Sequence, residues 1–371
     1  MEVNCEGCAG CCMDWRPLLE DGTAATAARD GGDGGETEHD TDRRRQRPRD
    51  TFDGGGTKQE ATRAPLDDDT TFVPLTRDEV RAFLEAGMAD ALTPRFWYAR
   101  DDEESHTTES SSGAERERDE CSAAASGEER PASGDASREG EGIEIDGHTV
   151  AAVAGRPVFF VGLRKPPKPV APFGREDPMW LPTCVFLDPR TLQCRIHESE
   201  LYPDECSAYP EHNLALEQET ECERVEAAFG GERLLEADHD DPDGLLLGTE
   251  AIGAKLFCHP RPADLEGIVD RAAAGELTRQ ERAEPIAVAA ASSPGTLAIS
   301  DHHYEWAKTR VLEGADIESD PGDEKSWVGP AIRDWYWRYR ETGETVPSPV
   351  VADAVETDRG APETPGWDAL E

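Results

Sequence analysis

The sequence predicts an α+β fold: a small cysteine-rich metal-binding core of short hairpins and helices, with a helical carboxy-terminal extension and two disordered insertions. Three observations carry this. Thiols cluster at the amino terminus and again after residue 180. Short β-branched and aromatic runs surround an Asp146-Gly147 turn signal, whereas residues 77–89 and 332–339 repeat with a helical period. Residues 21–65 and 101–142 lose all apolar periodicity.

Composition bounds the function classes. The chain has 371 residues, with 80 acids against 38 bases, a formal charge of −42 and only six lysines. The acid excess is spread along the whole length, which suits concentrated salt, where charges are screened within about 3 Å at 1 M. A salt-adapted cytoplasm, as in haloarchaea, is the expected setting. The balance argues against a general nucleic-acid or membrane-surface binder. No run approaches the ~20 apolar residues of a membrane span, and Met-Glu-Val-Asn-Cys lacks the charged and apolar regions of a secretion signal. Ten cysteines in a reducing cytoplasm favour metal ligation over disulfides.

The first element, residues 1–20, holds Cys5, Cys8, Cys11 and Cys12 in a C-x2-C-x2-C-C spacing. Two cysteines separated by two residues turn both sulfurs toward one point. Gly7 and Gly10 sit inside the knuckles, where positive φ costs little. Trp15 and Leu18 are expected to pack below the cluster. The insertion at 21–65 contains the basic knot Arg43, Arg44, Arg45, Arg47 and Arg49, read as a charge-balanced solvated loop rather than a nucleic-acid contact.

Residues 66–100 form a helical segment. Thr76 and Glu79 make a capping box, with Leu75 and Val80 as its staple, and the helix is expected from Arg77 to Ala89. Phe96, Trp97 and Tyr98 follow as core or strand. The acidic insertion at 101–142 contains Cys121, which is excluded as a ligand.

The core proper is expected at 143–240. Ile143–Ile145 and His148–Val150 flank the Asp146-Gly147 turn, Val158–Val161 reads as a strand, and Lys165-Pro-Pro-Lys-Pro as an extended connector. Val185–Leu187 and Leu192–Ile196 read as strands joined by Asp188-Pro189-Arg190, which brings Cys184 beside Cys194; Pro203 starts a turn or helix that delivers Cys206.

These two thiol groups together resemble the YkgJ-type CxxCxxCC cysteine-cluster family of zinc- or iron-chelating proteins. The resemblance covers residues 1–20 and 150–225, and rests on the amino-terminal spacing, Cys184-Val-Phe-Leu, Cys194-Arg-Ile and Cys206 followed by Tyr209-Pro210. Two positions depart from the family pattern: Tyr202-Pro203 replaces Arg-Pro and His197 replaces Tyr. The resemblance implies metal ligation by Cys5, Cys8, Cys11, Cys12, Cys184, Cys194 and Cys206.

Cys222, on an expected helix through Val225 and Ala228, is an eighth candidate ligand or a buried helical thiol. Cys258-His259-Pro260 reads as a strand-end core segment or a weaker ligand, and His212 as a surface residue or a supporting neighbour of the site. His302-His303 lacks the i, i+4 spacing of a zincin, and no phosphate loop, nucleophile elbow or dinucleotide fingerprint appears.

The region 241–345 is read as mainly helical, with Asp301 capping a helix and Ile332, Trp335, Tyr336 and Tyr339 forming one apolar face. Residues 346–371 read as a loose tail. The function expected is chelation of zinc or iron by the cysteine cluster. The alternative is an iron–sulfur electron-transfer protein or oxidoreductase, since Cys5, Cys8 and Cys11 share part of the ferredoxin spacing but lack its continuation. A metal ion is the expected partner.

Overall fold

A computed structural model describes residues 1–20, 65–67, 71–99, 142–239, 244–313, 326–342 and 345–369. Cys121, the arginine knot and all but the last residue of each insertion lie outside these. The structure mixes helix and sheet, as the α+β class requires.

In chain order the elements are β1 (Glu2–Val3), α1 (Pro17–Glu20), α2 (Arg77–Glu85), β2 (Leu92–Phe96), β3 (Ile143–Ile145), β4 (His148–Val150), β5 (Ala152–Val153), β6 (Arg156–Leu163), β7 (Pro167–Val170) and β8 (Met179–Pro182). Then follow α3 (Asp204–Ser207), α4 (Glu211–Ala215), α5 (Glu221–Phe229), β9 (Leu234–Glu236), β10 (Phe257–Cys258), α6 (Val269–Ala273), α7 (Arg279–Ala291), α8 (Asp301–Leu312), α9 (Val328–Thr342) and α10 (Pro349–Thr357).

Strand β6 is the centre. It pairs antiparallel with β2, β5 and β10. Its residues alternate between two cores: Phe159, Val161 and Leu163 face the main one, while Val158 and Phe160 face a smaller one with Phe72, Trp97 and Cys258. Both faces are covered, so the strand reads as a continuous apolar run. Phe96, Phe159 and Phe257 meet across the three strands, with ring centroids 5.6 and 5.8 Å apart. Gly162 is required here, because a Cβ would stand 2.3 Å from the Val73 carbonyl oxygen.

The β3–β4 hairpin forms on Asp146 and Gly147, both at positive φ, 54° and 81°. The α2 capping box is present, but the helix ends at Glu85 rather than Ala89. Gly87, at φ 73°, closes it: its N–H bonds to the Leu84 carbonyl and that of Met88 to Phe83, a Schellman end. Ser300, not Asp301, caps α8.

Three expectations around the second cysteine group change. The Lys165–Pro169 connector is half strand: β7 pairs with β8, and its prolines are tolerated because this ribbon has only two strands. The strands expected at Val185–Leu187 and Leu192–Ile196 shrink to one bridge, Leu187 with Cys194, because Asp188 folds its carboxylate over the N–H groups of Arg190 and Thr191. The tail is not loose. It contains α10, whose Glu356 is fully buried.

The helical layer is α7 packed with α8. Residues Arg282 to Ala291 of α7 are all buried. Glu284 is its one buried acid, and it accepts from Tyr304 (2.5 Å) and Lys308 (2.7 Å), with His259 Nε2 at 3.3 Å. Burial pushes its carboxyl up, but these three donors prevail and hold it at about 2. The ionised carboxylate is therefore favoured by folding. Its contribution is complete above the usual value of 4.5 and is lost as pH falls toward 2. Glu284→Gln is expected to lower the urea midpoint markedly at neutral pH and much less near pH 3, roughly inside that window. An equal loss at both pH values would show that the charge is not what stabilises.

Candidate metal centre

Chain pairing fixes the amino-terminal thiols to the core. Strand β1 pairs with β9, and Asn4 donates to the Arg233 carbonyl (2.7 Å). Met13 bridges Thr183, Asp14 donates to the Pro182 carbonyl (2.8 Å), and Cys184 donates to the Cys12 carbonyl (2.7 Å). The last contact joins the two cysteine groups directly. Below them Trp15 packs edge-on against Phe229 (5.7 Å) and Phe173 (6.4 Å) and donates to Glu221 (3.1 Å).

The two knuckle glycines have different reasons. Gly7 has φ 61°, as the spacing suggests, but the second left-handed residue is Ala9, at 50°. Gly10 lies in a 3-10 turn over Gly10–Cys12. It is small because a Cβ there would stand 2.7 Å from Val225 Cγ2 of α5. That close approach brings Cys222, on the same helix, toward the amino-terminal thiols.

All eight predicted thiols gather in one locality around Cys11, which exerts an electrostatic effect on each of the other seven. They fall into two sets. Cys11, Cys12, Cys184, Cys194 and Cys206 line one cavity of about 80 Å³. Thr71, Lys165, Tyr202, Glu205, Tyr209 and Glu221 complete its polar wall. Cys11 and Cys12 sulfurs are 3.8 Å apart. Cys5, Cys8 and Cys222 form the outer set, and Cys8 Sγ accepts from Arg233 Nε (3.2 Å). The remote thiols thus meet Cys11 and Cys12, not the Cys5–Cys8 pair.

Electrostatics follow from this crowding. Burial first, then neighbouring thiols, raises Cys5 to about 11 and Cys222 to about 12. Burial, with Cys184, raises Cys194 to about 12. In Cys12 the hydrogen bond with Cys11 is the largest cause, and burial adds to it. Burial also raises Cys184, opposed by the Phe186 N–H, Lys168 and Lys165. These two lysines are the cations acting on Cys184, as Arg233 is on Cys8, and nothing in the local sequence marks either lysine for that role. Lys168 is fully buried on β7. Its position inside a proline-rich run conceals that.

The remaining candidates separate. Cys258 is buried in the smaller core with no other thiol among that core's described residues, and burial alone raises it, to about 11 against the pull of Arg156. His197 packs edge-on to Tyr202 at 4.9 Å. His212 is buried, with Nδ1 3.4 Å from Glu205 of the cavity wall. Among the described residues, no three His, Cys, Asp or Glu side chains already stand as a set able to hold a metal ion. Thiolates are soft donors. No helix among the described residues is long and apolar enough to cross a membrane.

Fold and site together define a class: an α+β protein with a thiol-lined cavity between its amino-terminal segment and the chain carrying Cys184 and Cys194. The chain belongs to the family described as Family of unknown function (DUF7531), whose model matches residues 1–368. This overturns the YkgJ-type resemblance. The family match runs through both insertions and the carboxy-terminal region and is to a different family, and among the described residues no ready metal-binding group accompanies the thiols. Short cysteine spacings recur wherever knuckles are built, so they do not define ancestry. No curated protein and no solved structure matches the chain.

Proposed function

We propose that the protein binds zinc or iron through thiolates, with Cys11, Cys12, Cys184, Cys194 and Cys206 as the inner ligands and Cys5, Cys8 and Cys222 as outer ones. One observation carries this reading: five thiols line a single cavity of about 80 Å³. Organic ligands take pockets of roughly 300–1,000 Å³, so the space suits an ion or a small inorganic cluster. Five thiols exceed the four of a tetrahedral zinc site. Deprotonating such crowded thiols in the absence of a cation is unfavourable, and a bound cation reverses that balance. The cytoplasmic, salt-rich setting belongs to the same proposal.

A second reading, an iron–sulfur cluster that transfers electrons, is supported by the Arg233 N–H donated to Cys8 sulfur. Such hydrogen bonds tune cluster potentials. Anaerobic purification, elemental analysis and visible spectra separate the two. Colourless protein with stoichiometric zinc supports the first reading. Brown protein bleached by dithionite supports the second. Protein that takes neither zinc nor iron, even after anaerobic reconstitution with ferrous ion and sulfide, sinks both.

A further inference from the structure

We infer that the last helix is the positioning element of the second cysteine group. Glu356 acts there by holding Lys168 and Arg195 on one carboxylate and thereby fixing the backbone that carries Cys184 and Cys194.

The geometry is continuous from helix to thiol. Glu356 and Lys168 are both fully buried and paired through Oε1. Lys168 Nζ donates in addition to the carbonyls of Val185 (2.7 Å) and Leu187 (2.8 Å), the first and third residues after Cys184. The other carboxylate oxygen accepts from Arg195 Nε (2.8 Å), on the residue next to Cys194. Arg195 further donates to Asp353 (2.8 Å) and to the Pro362 carbonyl (2.6 Å), so three of its contacts reach the carboxy-terminal segment. The Arg195 N–H closes the hairpin onto the Phe186 carbonyl (2.8 Å). Beyond the helix, Thr364 donates to Asp188 (2.7 Å) and Gly366 to Gln193 (2.8 Å), both in the loop between the two cysteines. Trp335 of α9 donates to Glu356 Oε1 (3.0 Å), which fixes the carboxylate from the third side.

A generic packing contact would not place a cation from each of two chain segments on one carboxylate. Leaving those charges without it in a dry interior is costly, and the segment least able to resist is the short hairpin, which holds itself by a single bridge. The consequence for metal binding rests on the thiolate reading above. The placement of the thiols does not.

The test is thiol alkylation of the full-length, reduced, metal-free chain, mapped by mass spectrometry. In Glu356→Ala, iodoacetamide should modify Cys184 and Cys194 about tenfold faster or more than in the parent chain. Cys258, in the separate core, is the internal control and should stay within about twofold. Trp335→Phe removes one hydrogen bond and no charge. It should move the same two thiols in the same direction by a smaller factor, and it serves if Glu356→Ala does not fold. Unchanged rates at Cys184 and Cys194, or a parallel rise at Cys258, would overturn the inference. Because no metal is present, a chain that proves unable to bind zinc or iron removes the metal proposal and leaves this outcome readable.

Discussion

Replacing Cys184 and Cys194 together by serine is expected to weaken zinc binding by about a hundredfold or more. Both thiols line the inner cavity, whereas Cys5, Cys8 and Cys222 do not. Serine keeps the size and removes the soft ligand. Cys258→Ser should leave affinity unchanged, because that thiol lies in the smaller core and not on the cavity wall. Cys5→Ser with Cys8→Ser tests the division into two sets. These residues lie outside the cavity wall, so their loss should weaken binding far less than loss of the inner pair. Competition with a chromophoric chelator measures all three. Equal effects of the inner and outer pairs would sink the assignment of the cavity as the primary site.

The second large effect is on stability. Arg195→Met should cost about 3–5 kcal/mol, the usual consequence of removing one partner from a buried ionic cluster. Its guanidinium is fully buried and faces Glu356, Asp353 and, at 3.4 Å, Asp188. Burial alone would lower its pKa, but Glu356 and the aspartates prevail and raise it, so the cation persists at every working pH. After substitution Lys168 is left as the one cation at Glu356, Asp188 loses its cationic partner, and Asp353 keeps only Arg190 at 3.5 Å. An exposed pair such as Arg77 with Asp78 is the natural comparison, worth ~0–1 kcal/mol. Urea midpoints of the two variants decide the point. A cost for Arg195→Met no larger than that of Arg77→Met would mean that the cluster does not brace the fold.

What was legible in advance was local. Asp146-Gly147 specified a hairpin because two successive left-handed residues suit few other structures. Thr76 with Glu79 fixed the start of α2, since the capping box closes within four residues. The mid-chain run Val158–Val161 announced a strand, though not that it is buried on both faces at the centre of the sheet. The end of α2 is not legible in the apolar stripe, which continues to Met88, while Gly87 adopts the left-handed turn that ends the helix. The stripe of α9 was half right: Ile332 and Trp335 are buried, whereas Tyr339 is 47% exposed.

The sequence by itself determined that the chain is rich in soft ligands, strongly acidic, and built of short capped helices and hairpins. Those properties depend on residue type and on neighbours a few positions away. Only the tertiary structure decided which thiols share a cavity, that Lys168 is buried beside them, and that an acidic, proline-bearing terminus is a brace rather than a tail. Those facts are pairings between residues far apart in the chain. A lysine in a proline run, or a glutamate near a terminus, has the same local signature whether it is solvated or buried. Its partner, supplied by the fold, makes the difference.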